Sequence, residues 1–180
     1  METNNVKTEV AIRHAAPEDA ALLSRLGRET FHDTFAGHPL NAPDDMAAYT
    51  AEAFSLEKVE SELADPRAVF LIAESEGRAA GYAKLLVGSR EPEITASRPV
   101  ELVRLYAGRA FIGKGVGAAL MRRCLDEAAR LGCDVIWLGV WEHNGRAQDF
   151  YRRWNFADAG SHVFQVGSDP QTDLLMQRAL

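Results

Sequence analysis

A chain of 180 residues, 47% apolar and 26% charged, is long enough for one domain with a sizeable core and too evenly mixed for a fibrous or disordered protein. Its net charge of −6 argues against binding nucleic acid by phosphate neutralisation, and no apolar run approaches the ~20 residues of a membrane span. Two cysteines, Cys124 and Cys133, fit neither a disulfide framework nor a metal site, so a reducing cytoplasm, no metal and no membrane contact are expected.

Met1 to Thr8 is polar, lacks the apolar stretch of a signal peptide and reads as a disordered lead-in to one domain over 9–180. Val10 to Arg13 is a short strand. Pro17-Glu18-Asp19 then opens a helix, with proline at its first position and acids facing the positive end of the dipole. Leu22, Leu23, Leu26 and Phe31 give that helix an apolar face running towards Phe35, and Gly37 and Pro39 end it. Two further helices are expected over Asp44 to Phe54 and Leu56 to Leu63. Ala68 to Glu74 and Ala79 to Val87 form a hairpin about Glu76-Gly77. Val100 to Ala107 is the next strand, followed by a glycine-rich turn and a helix ending near Leu131-Gly132. Val135 to Val140 is an apolar strand, and Asn144 caps a helix reaching about Trp154. Strands around Phe156–Val166 and Asp173–Gln177 close the chain. The order is β-ααα-ββ-β-α-β-α-ββ, a single α/β domain.

The sharpest local signal is Gly113-Lys-Gly-Val-Gly117-Ala118, a glycine turn that leads from a strand into a helix. Such a turn lets backbone N–H groups converge on a phosphate at the positive end of the helix. The helix buries Val116, Leu120, Cys124, Ala128 and Leu131 on one face, which makes Cys124 a packing residue. Three phosphate-binding patterns compete for this turn. Gly108-x-x-x-x-Gly113-Lys114 resembles a P-loop, but Gly115 stands where Ser or Thr must hold magnesium. Gly113-x-Gly115-x-x-Ala118 fits a dinucleotide fingerprint, but Asp134 begins the next strand where the ribose-binding acid should end it. Ile112-Gly113-Lys-Gly-Val-Gly117 resembles the coenzyme motif of the GNAT acetyltransferases, Gln/Arg-x-x-Gly-x-Gly/Ala, at every position but the first, where Ile112 departs.

A second stretch resembles the same family: an apolar strand from Ile136, then Asn144-Gly-Arg-Ala-Gln-Asp-Phe-Tyr151 and Asn155-Phe156. Asn155 replaces the family's usual glycine and tolerates the left-handed conformation required there. The two matches cover residues 100–180. Glu29-Thr-Phe-His-Asp-Thr-Phe35, Ile136 to Glu142 and Gln171 to Met176 further resemble the bacterial Pai-type spermidine/spermine acetyltransferases. The resemblance implies a GNAT-type domain with a central mixed, mostly antiparallel sheet flanked by helices, and acetyl-CoA as cosubstrate. It implies coenzyme contacts from Leu105, Tyr106 and Ala107, from Gly113, Lys114, Gly115, Val116, Gly117 and Ala118, and from Asn144, with Tyr151 as general acid.

The amine must lose a proton before it attacks, and Glu101 on the coenzyme strand is the candidate base; Glu142 and His143 are the other titratable groups nearby. Charge is unevenly placed: residues 1–100 carry −7 and residues 101–180 carry +1. The segment from Glu29 to Asp65 holds nine acids against Lys58 alone. In the family these early helices border the acceptor groove. The acceptor is therefore expected to be a polycationic amine held by Glu29 and Asp33. Another amine substrate and a coenzyme-binding regulatory module remain open alternatives, as does a homodimer.

Overall fold

The computed structural model describes residues 9–180; the lead-in expected over 1–8 lies outside them. The elements run β1 (Val10–His14), α1 (Ala20–Phe35), α2 (Pro43–Ala53), α3 (Leu56–Ala64), β2 (Ala68–Ser75), β3 (Arg78–Val87), β4 (Pro99–Ala107), α4 (Val116–Arg130), β5 (Val135–Trp141), α5 (Gly145–Arg153), β6 (Ala157–Val166) and β7 (Asp169–Ala179). A turn of 3-10 helix at Pro17–Asp19 precedes α1, where the sequence reading began the helix itself.

All seven strands join one sheet in the order β1-β2-β3-β4-β5-β7-β6, antiparallel except for the parallel pair β4–β5. The expected element order and the mixed, mostly antiparallel sheet are both present. The β2–β3 hairpin turns on Glu76 and Gly77, with φ of 54° and 70°, as a two-residue turn matched to strand twist requires. Strand β7 starts earlier than expected because Pro170 pairs only with Gln165 of β6. Pairing with β5 begins at Asp173, so the N–H that proline lacks has no ladder bond to make.

Helix α4 covers one face of the sheet. Val116, Leu120, Met121, Cys124 and Ala128 pack with Leu85, Leu102, Ile136 and Leu138 in the main core. Cys124 is wholly buried and its thiol is pushed up to about 12 by that burial, so it packs rather than reacts. Helices α1 and α3 cover the other face through Leu23, Leu26 and Val59 on Phe70, Ile72 and Tyr82.

Gly81 on β3 lets the strands and α4 approach closely. A Cβ there would collide with the Tyr106 carbonyl and stand 3.0 Å from Val116. Gly81→Ala is therefore expected to cost about 1–3 kcal/mol through overpacking, read as a fall in melting temperature of roughly 2–10 °C. An unchanged melting curve would show that the backbone yields there.

Candidate active site

The parallel pairing of β4 with β5 lasts only from Pro99↔Val135 to Glu101↔Trp137. Beyond it β4 stays with β3 and β5 stays with β7, so the sheet splits into a V. The split begins at a bulge: Val103 is the extra residue between Leu102, opposite Leu85, and Arg104, opposite Lys84. A bulge bends and twists its strand, which turns β4 away from β5. A groove of about 590 Å³ runs through the opening, lined by both diverging strands and by the ends of α1, α4 and α5.

One end of the groove is built from the glycine turn. Gly113 and Gly115 have φ of 80° and 87°, the left-handed region, and a Cβ at either would meet no atom within 4 Å. The space above the turn is open. Lys114 N–H donates to Phe111 O and Ala119 N–H to Gly115 O. The N–H groups of residues 115–118 have no acceptor among the described residues. Four free donors at the start of a fifteen-residue helix form an anion cradle that fits a pyrophosphate. Gly113, Gly115, Gly117 and Ala118 line the groove. Val116 offers only its amide, since its side chain is buried. Lys114 does not join them: its amide is engaged and its Nζ turns to the hairpin, 3.9 Å from Glu76 and over the Phe111 ring. Ile112 lies 43% exposed at the lip of the groove, so the apolar departure from the family motif takes no part in the core.

Asn144 caps α5, its side-chain oxygen accepting from Ala147 N–H at 3.2 Å, and it lines the groove. Gln148, the fourth residue of α5, locks this corner by donating to the carbonyls of Trp141 and Glu142. Tyr151 follows on the same helix face as Ala147 and sits where the two ends of the groove meet the core. Its phenol has no hydrogen-bond partner among the described residues, and burial pushes its pKa well up, so it stays protonated at working pH. Leu105, Tyr106 and Ala107 line the opposite wall from β4. Asn155, which ends the α5 corner, has φ of 62°, the left-handed conformation its residue type tolerates.

The other end of the groove is aromatic and acidic. Phe31 and Phe35 of α1, Tyr49 of α2, Trp141 of β5 and Phe164 of β6 form its walls. Their rings touch at an angle, with centroid distances of 4.6 Å for Phe31–Phe35, 4.8 Å for Phe31–Tyr49 and, edge to face, 5.5 Å for Tyr49–Phe164. Two carboxylates enter this chamber from opposite sides of the V, Glu101 on β4 and Asp173 on β7. Gly139 lies between their strands; a Cβ there would stand 3.1 Å from Asp173 Oδ2 and 3.2 Å from His162 Nε2. Burial raises the Glu101 carboxyl, while a 2.6 Å hydrogen bond from Ser89 and the nearby Lys84 pull it down. Asp173 has no such donor, and burial pushes it up to about 6. Behind Glu101, Glu62 pairs with Lys84 at 2.9 Å and Arg104 at 2.7 Å in a largely buried cluster.

The structure therefore brings together Glu101, Leu105 to Ala107, the glycine turn, Asn144 and Tyr151, and it excludes Glu29 and Asp33. Phe31 and Phe35 turn into the groove, and Glu29 and Asp33, about 200° from Phe31 around the helix, point outward. Glu29 instead faces Arg25 on the far side of α1. None of the nine acids from Glu29 to Asp65 lines the groove. Glu142 and His143 lie exposed at the turn after β5, His143 stacked on His38. Asp173 and His162 were not singled out from the sequence. The available signal was parity: Asp173 shares its strand face with the wholly buried Leu175, which puts an acid on an inward face.

Comparison with known proteins agrees with this architecture. Residues 31–156 match the model of the Acetyltransferase (GNAT) family. The chain is 34% identical over 96% of its length to an uncharacterised N-acetyltransferase from the pepI 3′ region of Lactobacillus delbrueckii subsp. lactis, covering 99% of that protein. It is 36% identical over 90% of its length to an uncharacterised N-acetyltransferase of Mycobacterium bovis, covering 98% of it. In fold it is similar to the PaiA N-acetyltransferase of Thermoplasma acidophilum, solved with coenzyme A, with a TM-score of 0.73 and 23% identity over 96% of this chain and 99% of that one. With a split sheet, a glycine cradle at the start of α4 and a family match across both, the chain belongs to the GNAT acetyltransferase family.

Proposed function

We propose that this acetyl-CoA-dependent N-acetyltransferase passes its acetyl group to a primary amine of a polyamine such as spermidine or spermine, by direct attack in a ternary complex. The observation that carries the reading is the chamber in which Glu101 and Asp173 face one space walled by Phe31, Phe35, Tyr49, Trp141 and Phe164. Aromatic faces attract cations and also shelter methylene spacers, while carboxylates fix ammonium groups at their ends. The acids on the outer faces of α1 to α3 then act at a distance, steering a polycation towards the groove rather than binding it.

In this reading the amides of residues 115–118 hold the pyrophosphate, and the side-chain amide of Asn144 contacts the pantetheine arm. Amides of Leu105 to Ala107 stabilise the oxyanion of the tetrahedral intermediate. The amine lone pair bonds to the thioester carbonyl carbon, the C–S bond breaks with its electrons on sulfur, and Tyr151 protonates the thiolate. Glu101 is fixed in place by the Ser89 hydrogen bond, so in this reading it anchors an ammonium group.

Initial rates on spermidine, spermine, lysine, a peptide amine and a neutral-tailed alkylamine test the acceptor. Polyamines should lead, and Glu101→Gln should raise their KM roughly tenfold, about 1.4 kcal/mol, with little change in kcat. Efficient turnover of the neutral-tailed amine, insensitive to salt and with polyamines inert, would overturn the polyamine assignment.

A further inference from the structure

Three titratable side chains stand in line from the acceptor chamber to the surface. Asp173 lines the chamber, with 14% of its side chain exposed. His162, its cross-strand partner on β6, places Nε2 3.9 Å from Asp173 Oδ2. His162 Nδ1 is 3.0 Å from Glu91 Oε1, in the segment between β3 and β4. His162, which also lines the groove, and Glu91 are 27% and 24% exposed, so both are more accessible to solvent than Asp173. A carboxylate only accepts, so Glu91 places the imidazole proton on Nδ1. The basic lone pair of Nε2 is thereby aimed at Asp173, the orientation a carboxylate imposes wherever it holds a histidine ready to take a proton. Gly139 leaves the face of Asp173 and His162 open to the groove.

We propose that Asp173 takes the ammonium proton of the acceptor, and that His162, oriented by Glu91, carries it on to solvent. The inference rests on the acetyltransferase reading of the groove. The proton moves from nitrogen to the Asp173 carboxylate. The carboxyl then swings to His162 Nε2, because 3.9 Å is too long for a direct jump. The imidazolium, paired with Glu91, releases its proton to water. The neutral amine attacks the thioester, and the second nitrogen proton, shed as the amide forms, restores the one that Tyr151 gives to sulfur. The sum is one ammonium and one thioester consumed, and one amide, one thiol and one proton released. Glu101 is the less suitable acceptor because one of its oxygens already accepts from Ser89, whereas Asp173 has no donor among the described residues and stands beside His162. The groups facing Asp173 are His162 from β6, Glu142 from the turn after β5 and Tyr49 from α2, with Glu91 and Glu101 reaching it through His162.

The test compares the wild type with Asp173→Asn and His162→Gln on two acceptors. One is whichever strongly basic amine the wild type acetylates, so that failure of the polyamine assignment leaves the comparison intact. The other is aminoacetonitrile, a primary amine already neutral at pH 7. For the basic amine, kcat/KM should fall roughly 10²–10³-fold in Asp173→Asn, the scale of lost proton transfer. Acetyl-CoA affinity should stay within twofold. The acid limb of the wild-type kcat/KM profile, expected near pH 6, should vanish in Asp173→Asn and shift in His162→Gln. Aminoacetonitrile should lose less than tenfold, since it has no proton to surrender. The carboxyl's raised value means that ionised Asp173 weighs against folding above about pH 6, and that this burden fades as pH falls towards 4. Asp173→Asn should therefore melt no lower than wild type at pH 8. Equal losses on both acceptors, or a wild-type rate and an unmoved acid limb in Asp173→Asn, would overturn the proposal.

Discussion

Gly115→Asp is expected to weaken acetyl-CoA binding by 10²-fold or more, about 2.7 kcal/mol or above, while costing the free protein only about 1 kcal/mol. Gly115 occupies the left-handed region at the N-cap of α4. Most side chains are strained there, but aspartate tolerates that conformation, and at a helix start its charge is favoured by the dipole. A Cβ meets nothing within 4 Å, so the substitution has room. The carboxylate would then occupy the cradle of free amides from residues 115–118 that a pyrophosphate needs, and repel it. The measurement is a pair of melting curves with and without acetyl-CoA, supported by titration calorimetry. Loss of the ligand-induced shift with a free-state melting point lower by only about 2–4 °C is the expected pattern. Wild-type affinity in the variant would remove the phosphate role from this turn.

Tyr151→Phe should lower kcat roughly 10²-fold with little change in acetyl-CoA affinity, because the ring that packs among Phe150 and Phe156 is kept and only the proton donor is lost. Burial holds the phenol protonated far above neutrality, so it should add no alkaline limb to the pH profile below about pH 10. The loss should shrink for acetyl donors whose leaving thiol is more acidic, since such a thiolate departs without help. A wild-type rate in the variant would reduce Tyr151 to a packing residue.

The elements and their order were legible because helical and alternating apolar patterns are local. So were the glycine turn of 113–117 and the helix that carries Asn144 and Tyr151, because each is formed by residues close together in sequence. The acceptor end was not legible, for a topological reason. It is assembled from Phe31, Tyr49, Glu101, Trp141 and Asp173, which come from five separate elements. Net charge over the Glu29–Asp65 segment pointed to carboxylates that do not line the groove. On an amphipathic helix at a groove the acids take the outward face and the aromatics the inward one. Parity along β7 would have exposed Asp173, and Pro170 obscured the start of that strand.

The seam between β4 and β5, three residue pairs long, makes the sheet mechanically uneven. Strands β1–β4 and β5–β7 are each stiffened by long ladders, and they meet along one short line that bends more readily than either plate. In the proposed reaction a thioester lodged between the plates would act as a strut between the groove walls, Leu105 to Ala107 on one side and Asn144 and Tyr151 on the other. Once the acetyl group had left, the strut would be shorter, and a compliant seam would let the plates relax and hold the spent thiol less firmly than the substrate it came from.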